Sequence, residues 1–490
     1  MGPNRTIRDF AEDEEGALII IVAAALVVLI GLIALSFDLG RVGVTQTDLQ
    51  GYADSIALAA AGELDGGSDA ITRAQAAAAN LIADQKILGS GDNTLFGESD
   101  YTLVFLTDLP ADDNAVASST TTESEDAAYV QATTMQSTVG LTFGAAMKSL
   151  LGQTSTDPVV SATAIAGFVS YACDVTPLMF CLPSGTFKAE DNIGTQLLLR
   201  SGGSGAAWGP GDFGFVDPSS LAFDLAGPCA GLSGANLYTC LLAVQNTITE
   251  CFAQRGIDME PGQRVGLADA AFNVRFDIFR TSLQSKVNDP DYAPAPNVIK
   301  GVIPNGGGSC IGGNEQPSPD TMSLPRDACF ALGTCDHGNR IGDGDWATDR
   351  ITYENVNYGG APLWAPGANA TRYQYYLAEI ANSGGAGSST AILPAGLSET
   401  GRPECSNQQS SDVRRRNVFA AGVDCAANPI NGATSNVPVE EFFELFLTEP
   451  VGSDGNSPPT LDLWAEVVGS ASGGSSVAGG VFHDIVQLYR

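Results

Sequence analysis

Basic charge is scarce in this chain. Across 490 residues, 23 Lys and Arg stand against 56 Asp and Glu, a net charge of −33. Lysine is confined to Lys86, Lys148, Lys188, Lys286 and Lys300. That balance leaves no basic footprint for a nucleic acid and gives no pull toward anionic lipid headgroups. Histidine occurs only as His337 and His483, and no two cysteines are spaced C-x-x-C, so a zinc site has too few ligands. No G-x-S-x-G turn, no phosphate-binding P-loop and no D-x-S-x-S adhesion run is present. The usual motifs for acyl transfer, nucleotide binding and metal-dependent adhesion are therefore missing. What the chain does hold is apolar: 44% hydrophobic residues with 21 Phe, 12 Tyr and 4 Trp, too many for a disordered polymer. With 57 Gly and 25 Pro, many turns and loops are expected. Length alone suggests roughly three domains of about 150 residues.

Ala17 to Phe37 is an apolar run of 21 residues without a charge. As a helix it spans about 31 Å, the thickness of a bilayer core. A cleaved signal peptide would show a basic start, a shorter core and a small-x-small site. Here the start mixes Arg5 and Arg8 with Asp9, Glu12, Asp13, Glu14 and Glu15, so an uncleaved anchor is the expectation. Arg5 and Arg8 on one flank against Arg41 on the other vote for a cytoplasmic N-terminus. The ten cysteines all follow the run: Cys173, Cys181, Cys229, Cys240, Cys251, Cys310, Cys329, Cys335, Cys405 and Cys425. An even count on one side of a membrane suits an oxidising compartment. Closeness in sequence suggests the pairs Cys173–Cys181, Cys329–Cys335 and Cys405–Cys425. The implied layout is a cytoplasmic tail over 1–16, a transmembrane helix over 17–37 and an external body.

Helical spacing continues past the apolar run through Leu39, Val42, Leu49, Ala53, Ile56, Ala57 and Ala60. One unbroken helix from Gly16 to Leu64 is expected, with a stalk over 38–65. Ser68 is a candidate cap for a second, alanine-rich helix to about Leu88. Tyr101–Leu106 and Val159–Tyr171 read as strands, Tyr129–Val139 less cleanly. Leu141–Leu151 reads as a short helix with Phe143, Met147, Leu150 and Leu151 on one side. Residues 66–171 thus form a small α+β unit, and 172–490 a loop-rich, disulfide-stapled α+β domain. Its best strands are Gln196–Arg200, Val418–Val423, Phe442–Thr448 and Trp464–Val468. The fold class is α+β throughout.

Three clusters carry possible chemistry. Asp336, Asp343, Asp345 and Asp349 lie in CDHGNRIGDGDWATD. Alternating oxygen ligands with glycines between them suit a calcium loop, although the bidentate Glu of an EF-hand is missing; an acidic surface turn has the same composition. Arg414-Arg415-Arg416 is either a receptor for an acidic partner or a solvated basic stretch. Asp38 and Arg41, at the outer helix end, either pair or anchor the helix at the interface, or form an ordinary charged flank. No other cofactor is indicated.

The order EEGA (Glu14–Ala17), FDLGR (Phe37–Arg41), LQ (Leu49-Gln50), AD (Ala53-Asp54) and ALAAA (Ala57–Ala61) resembles the N-terminal domain of TadE/TadG-like proteins of the tight-adherence (Flp, type IVc) pilus assembly system. Gly16, Asp38, Gly40, Arg41, Gln50 and Asp54 are the positions of the helix that carry the likeness. Later stretches such as CDVTPLMFC (Cys173–Cys181) and IGDGDW (Ile341–Trp346) are similar to longer members without an adhesion-type metal domain. The resemblance implies a non-enzymatic role in building or anchoring a pilus at the bacterial inner membrane. Its partners would be other pilus-assembly membrane proteins or pilins, beside the lipid bilayer and with no nucleic acid. Pilin-type precursors are cut after a Gly and carry Glu five residues on; here Gly16 is followed at that distance by Ile21. The competing expectations are a minor pilin-like filament component and a membrane-anchored periplasmic enzyme or ligand receptor.

Overall fold

A computed structural model of the chain describes residues 15–66, 69–80, 84–85, 94–95, 99–110, 117–124, 126–150, 157–173, 176–202, 207–217, 227–245, 251–253, 256–259, 265–306, 308, 310–430, 433–435, 437–453, 460–471 and 482–489. The expected cytoplasmic tail lies outside them apart from Glu15 and Gly16, which are helical, and the Ser68 cap lies outside them too. Two compact units emerge, residues 1–169 with 484–490, and residues 170–483.

The first unit is organised by α1, Glu15–Ala61. Its two halves have different surroundings in the fold. Ile19, Leu26, Ile33, Phe37 and Leu39 are all more than half exposed, so this half is apolar without any protein to cover it. Further on, Leu49, Tyr52, Ala53, Ile56, Ala57 and Ala60 recur at three- and four-residue steps and are fully or almost fully buried. That stripe packs on an antiparallel sheet of β1 (Tyr101–Leu106), β2 (Tyr129–Thr134) and β3 (Thr163–Cys173), in that order. Ala132, Ala164 and Ala166 meet the helix in one core with Ala53 and Ala57. Small residues on both sides let backbone approach backbone. The C-terminal strand Phe482–Leu488 also pairs with β3, which returns the end of the chain to this unit. Gly167 is required there, because a Cβ would lie 2.4 Å from the ring of its cross-strand neighbour Tyr129. The second helix, α2, covers Ala70–Ala79 and buries Ala70, Ala74 and Ala78. It stops well short of Leu88: Asn80 turns its amide back onto the Ala76 carbonyl, the local competition that makes Asn a poor helix interior. Thr142–Leu150 forms α3.

The second unit is built on a mixed sheet of β4 (Leu178–Cys181), β5 (Gln196–Ser201), β6 (Asp212–Phe215), β7 (Asn417–Val423), β8 (Glu441–Leu447) and β9 (Leu461–Ser470). The spatial order is β8-β7-β4-β6-β5-β9, and β9 pairs back onto β8. The sheet therefore closes into a ring. Both faces of β8 are covered as well, Phe443, Leu445 and Leu447 lying in one cluster and Phe442 and Phe446 in two others, so every residue of the strand is buried and EFFELFL does not alternate. Leu178, Phe180, Leu199, Phe213, Phe443 and Leu463 share a core with helices α4 (Gly234–Ala243) and α5 (Val265–Asn273). Met179, Cys181, Ala421 and Val423 belong to a separate cluster. Two further helices, α6 (Ala347–Tyr358) and α7 (Arg372–Asn382), bring Tyr353, Tyr375 and Tyr376 against Phe446.

The disulfides follow this topology rather than sequence distance. Cys181 bonds Cys425, Cys229 bonds Cys240, Cys310 bonds Cys405 and Cys329 bonds Cys335. The expected pairs Cys173–Cys181 and Cys405–Cys425 are replaced. Parallel pairing of β4 with β7 sets Cys181 opposite Val423, two residues before Cys425, although 244 residues separate the two cysteines in sequence. The backbone of Cys173 is instead in register with Cys251. Nearness in sequence lowers loop-closure entropy only logarithmically, so the sheet decides.

The Arg414–Arg416 run is corrected too. Arg414 stays at the surface beside Asp412, but Arg415 and Arg416 are buried. Arg415 donates to the carbonyls of Ala293, Val244 and Ala243. Arg416 donates to Leu447 and Thr448 and lies over the rings of Phe276, Tyr376 and Phe446. A lysine can reproduce neither the planar fork nor the ring stacking. Arg416→Lys should destabilise the second unit by about 2 to 4 kcal/mol, read as a lower denaturant midpoint at an unchanged slope.

Candidate functional site

Of the motif positions on α1, Asp38 and Arg41 meet the start of one short helix, α3. Asp38 is 5% exposed. Its carboxylate accepts from the backbone N–H groups of Gly144 at 2.6 Å and Phe143 at 3.3 Å. These are free donors in the first turn of α3, so a residue over a hundred positions upstream caps that helix. Arg41 donates to Thr142 Oγ1 at 2.7 Å. The rings of Phe37 and Phe143 meet edge to face at 5.5 Å. Thus both Asp38 and Arg41 serve the docking of α3. Sequence spacing showed the charges, but their partner lay beyond any local pattern.

One to two turns further, Gln46 donates to the Ser161 carbonyl and Gln50 to that of Thr163, tying the helix to the start of β3. Gln50 also donates to Asp54 at 2.7 Å. Gly40 faces open space, where a Cβ would meet nothing of this chain within 4 Å. Gly16 lies in the first turn of α1.

The four aspartates of the candidate calcium loop stay apart in purpose. Asp336, Asp343 and Asp345 are exposed. Asp343 accepts from the N–H of Asp345, and Asp345 from that of Ala347, the local turns this residue type forms. Asp349 sits in the first turn of α6. Among the described residues no three His, Cys, Asp or Glu side chains gather as a metal site would need. The glycines between them answer to another acid. Asp327 takes the N–H of Gly344 at 2.8 Å, and a Cβ on Gly342 would lie 2.0 Å from its Oδ2.

Asp327 in turn holds Arg372, which reaches Glu466 at 3.2 Å; the charged side chains of all three are fully buried. Glu466 also accepts the N–H groups of Arg372 and Tyr373, the first turn of α7. One carboxylate on β9 therefore pairs a buried cation and caps a helix. A second buried acid, Glu379 on α7, is 1% exposed and accepts from Tyr353 at 2.6 Å, Tyr358 at 2.7 Å and Asn297 at 2.7 Å. Burial pushes its carboxyl up to about 7, against the pull of those three donors. Sequence reading singled out neither Glu466 nor Glu379, since each lies in an apolar stretch whose pattern reports burial alone.

A family model described as putative Flp pilus-assembly TadE/G-like matches residues 16–63. The matched span is α1 and the two residues after it, and it contains Asp38, Arg41, Gln50 and Asp54. No curated protein and no solved structure matches the chain. The helix is thus a TadE/G-like segment.

Two outcomes follow. Asp38→Ala should uncap α3, costing about 1 kcal/mol locally, seen as faster amide exchange at Phe143 and Gly144 with the β1–β3 sheet unchanged. For Glu379, the folded carboxyl keeps its proton to about pH 7, whereas an unfolded one releases it near 4.5. Between those values the folded state holds the extra proton, so stability falls as pH rises and levels off above 7. Glu379→Gln should flatten that fall by about 3 kcal/mol, measured by chemical denaturation at both ends of the window.

Proposed function

We propose that the chain is a non-enzymatic, membrane-anchored component of a Tad/Flp-type pilus system, held in the bacterial inner membrane. The supporting observation is one coincidence. The TadE/G-like match and the helix long and apolar enough to cross a bilayer are the same residues. That helix has a mean hydropathy of 3.1 in its most apolar window, none of it buried by the protein. The N-terminus lies in the cytoplasm and the disulfide-bonded body in the periplasm, where oxidised cysteines persist. The α1 helix packs beside helices of other pilus proteins, and the body offers a durable surface to partners.

A minor-pilin role is the second reading, favoured by a glycine, Gly16, directly before the apolar run. Fractionated cells probed with an antibody to the C-terminal region separate the two. Full-length protein confined to the inner membrane is the expected result. A shortened form in sheared pili would overturn it and make Gly16 a processing site despite Ile21.

A further inference from the structure

We propose that α3 is an in-plane membrane helix, seated on the outer surface of the bilayer with the side that carries Phe143 turned to lipid. The inference rests on the membrane reading of α1 and adds a second, separate lipid contact.

The α1 helix acts as a ruler. Phe37 ends the uncharged run, and Asp38 and Arg41 follow within about 6 Å along the axis. These residues hold Thr142, Phe143 and Gly144. The first turn of α3 is therefore fixed at the height where the apolar segment leaves the bilayer. At that height Phe143 is 43% exposed and its ring rests on Phe37, itself 54% exposed. In water such a pair would be turned inward. Here it continues the uncovered apolar surface of Ile33 and Ile30, four and seven residues back on the same side of α1. In sequence, Met147 and Leu150 follow Phe143 at the four- and seven-residue spacing of one helical side, the pattern of an interfacial helix.

The carboxylate supports the same placement. A negative charge directly at the hydrocarbon boundary needs donors other than bulk water. Two amides at the positive end of α3 supply them to Asp38. The net charge of −33 excludes seating by attraction to anionic headgroups, so the contact draws on apolar area and does not depend on lipid charge. Its effect is to fix the height and rotation of the first unit over the membrane, which a single spanning helix cannot do.

The test uses the full chain in phosphatidylcholine vesicles whose acyl chains are brominated near the headgroup. A tryptophan is added by Phe143→Trp or, as a second probe on the same helix, by Ala146→Trp. The emission of the unsubstituted protein, from Trp208, Trp346, Trp364 and Trp464, is subtracted. Val104→Trp, at an exposed position of β1, is the control. Retention after an alkaline carbonate wash reports spanning by α1 independently. The expected result is retention, loss of most of the added emission at 143 and 146, and none at 104. Retention with unquenched emission at both α3 positions overturns the inference and leaves the anchor standing. Release in the wash overturns the membrane reading, and the seating of α3 with it.

Discussion

A loop-rich protein must satisfy the carbonyl groups that no sheet or helix ladder reaches, and in the second unit that demand falls on buried arginine. Arg275, Arg350, Arg372, Arg402, Arg415 and Arg416 are all at most 8% exposed. Each directs N–H groups at main-chain oxygens: Arg402 at Pro296, Thr390, Ser383 and Gly385, Arg350 at Pro366 and Gly367, Arg275 at Leu242. A buried peptide oxygen without a donor costs as much as a lost hydrogen bond, and one guanidinium offers five donors in a fixed plane. At these six positions lysine would not serve. A compact ammonium on a flexible stem cannot bridge several loops. Burial lowers the proton affinity of Arg275 and Arg416 to about 10, still far enough above neutrality for both to stay charged.

The first unit depends on α1 in a different way. Its first half is uncovered by the protein and its second half is buried in it, and the change begins at Asp38. Beyond that point the motif positions act as fasteners. Asp38 and Arg41 hold α3, Gln46 and Gln50 hold the approach to β3, and the alanine stripe holds the sheet. The family likeness is thus written in contacts between α1 and the elements around it. The fold of those elements lies outside the matched residues, although the helix needs a partner surface of this kind.

Much of the architecture was legible locally. The long helix, β1, β5, β7, β8 and α3 fall within a residue or three of where periodicity set them, because each is an apolar pattern of one period. Long-range facts were not legible. Nothing near Cys181 points to Cys425, and nothing near Glu441–Leu447 says that β8 has neighbours on both sides. The glycines of IGDGDW suggested a cation loop, since a glycine needed to admit Asp327 looks the same as one needed for a ligand turn. The triple arginine misled for a similar reason. Composition reports charge, while burial depends on whether distant carbonyls arrive to meet it.

Ring closure of β4 to β9 bears on how this body can take part in an assembly. Open sheets grow by accepting a strand from another chain, and many surface fibres are strung together by such donation. In this ring each long strand already has a neighbour on either side. Among the described residues, none of its six strands is a terminal one with a neighbour on one side only. Recognition by the ring must therefore pass through side chains and loops, whose identities vary from residue to residue, and selectivity is obtained where a strand acceptor would read mostly main chain.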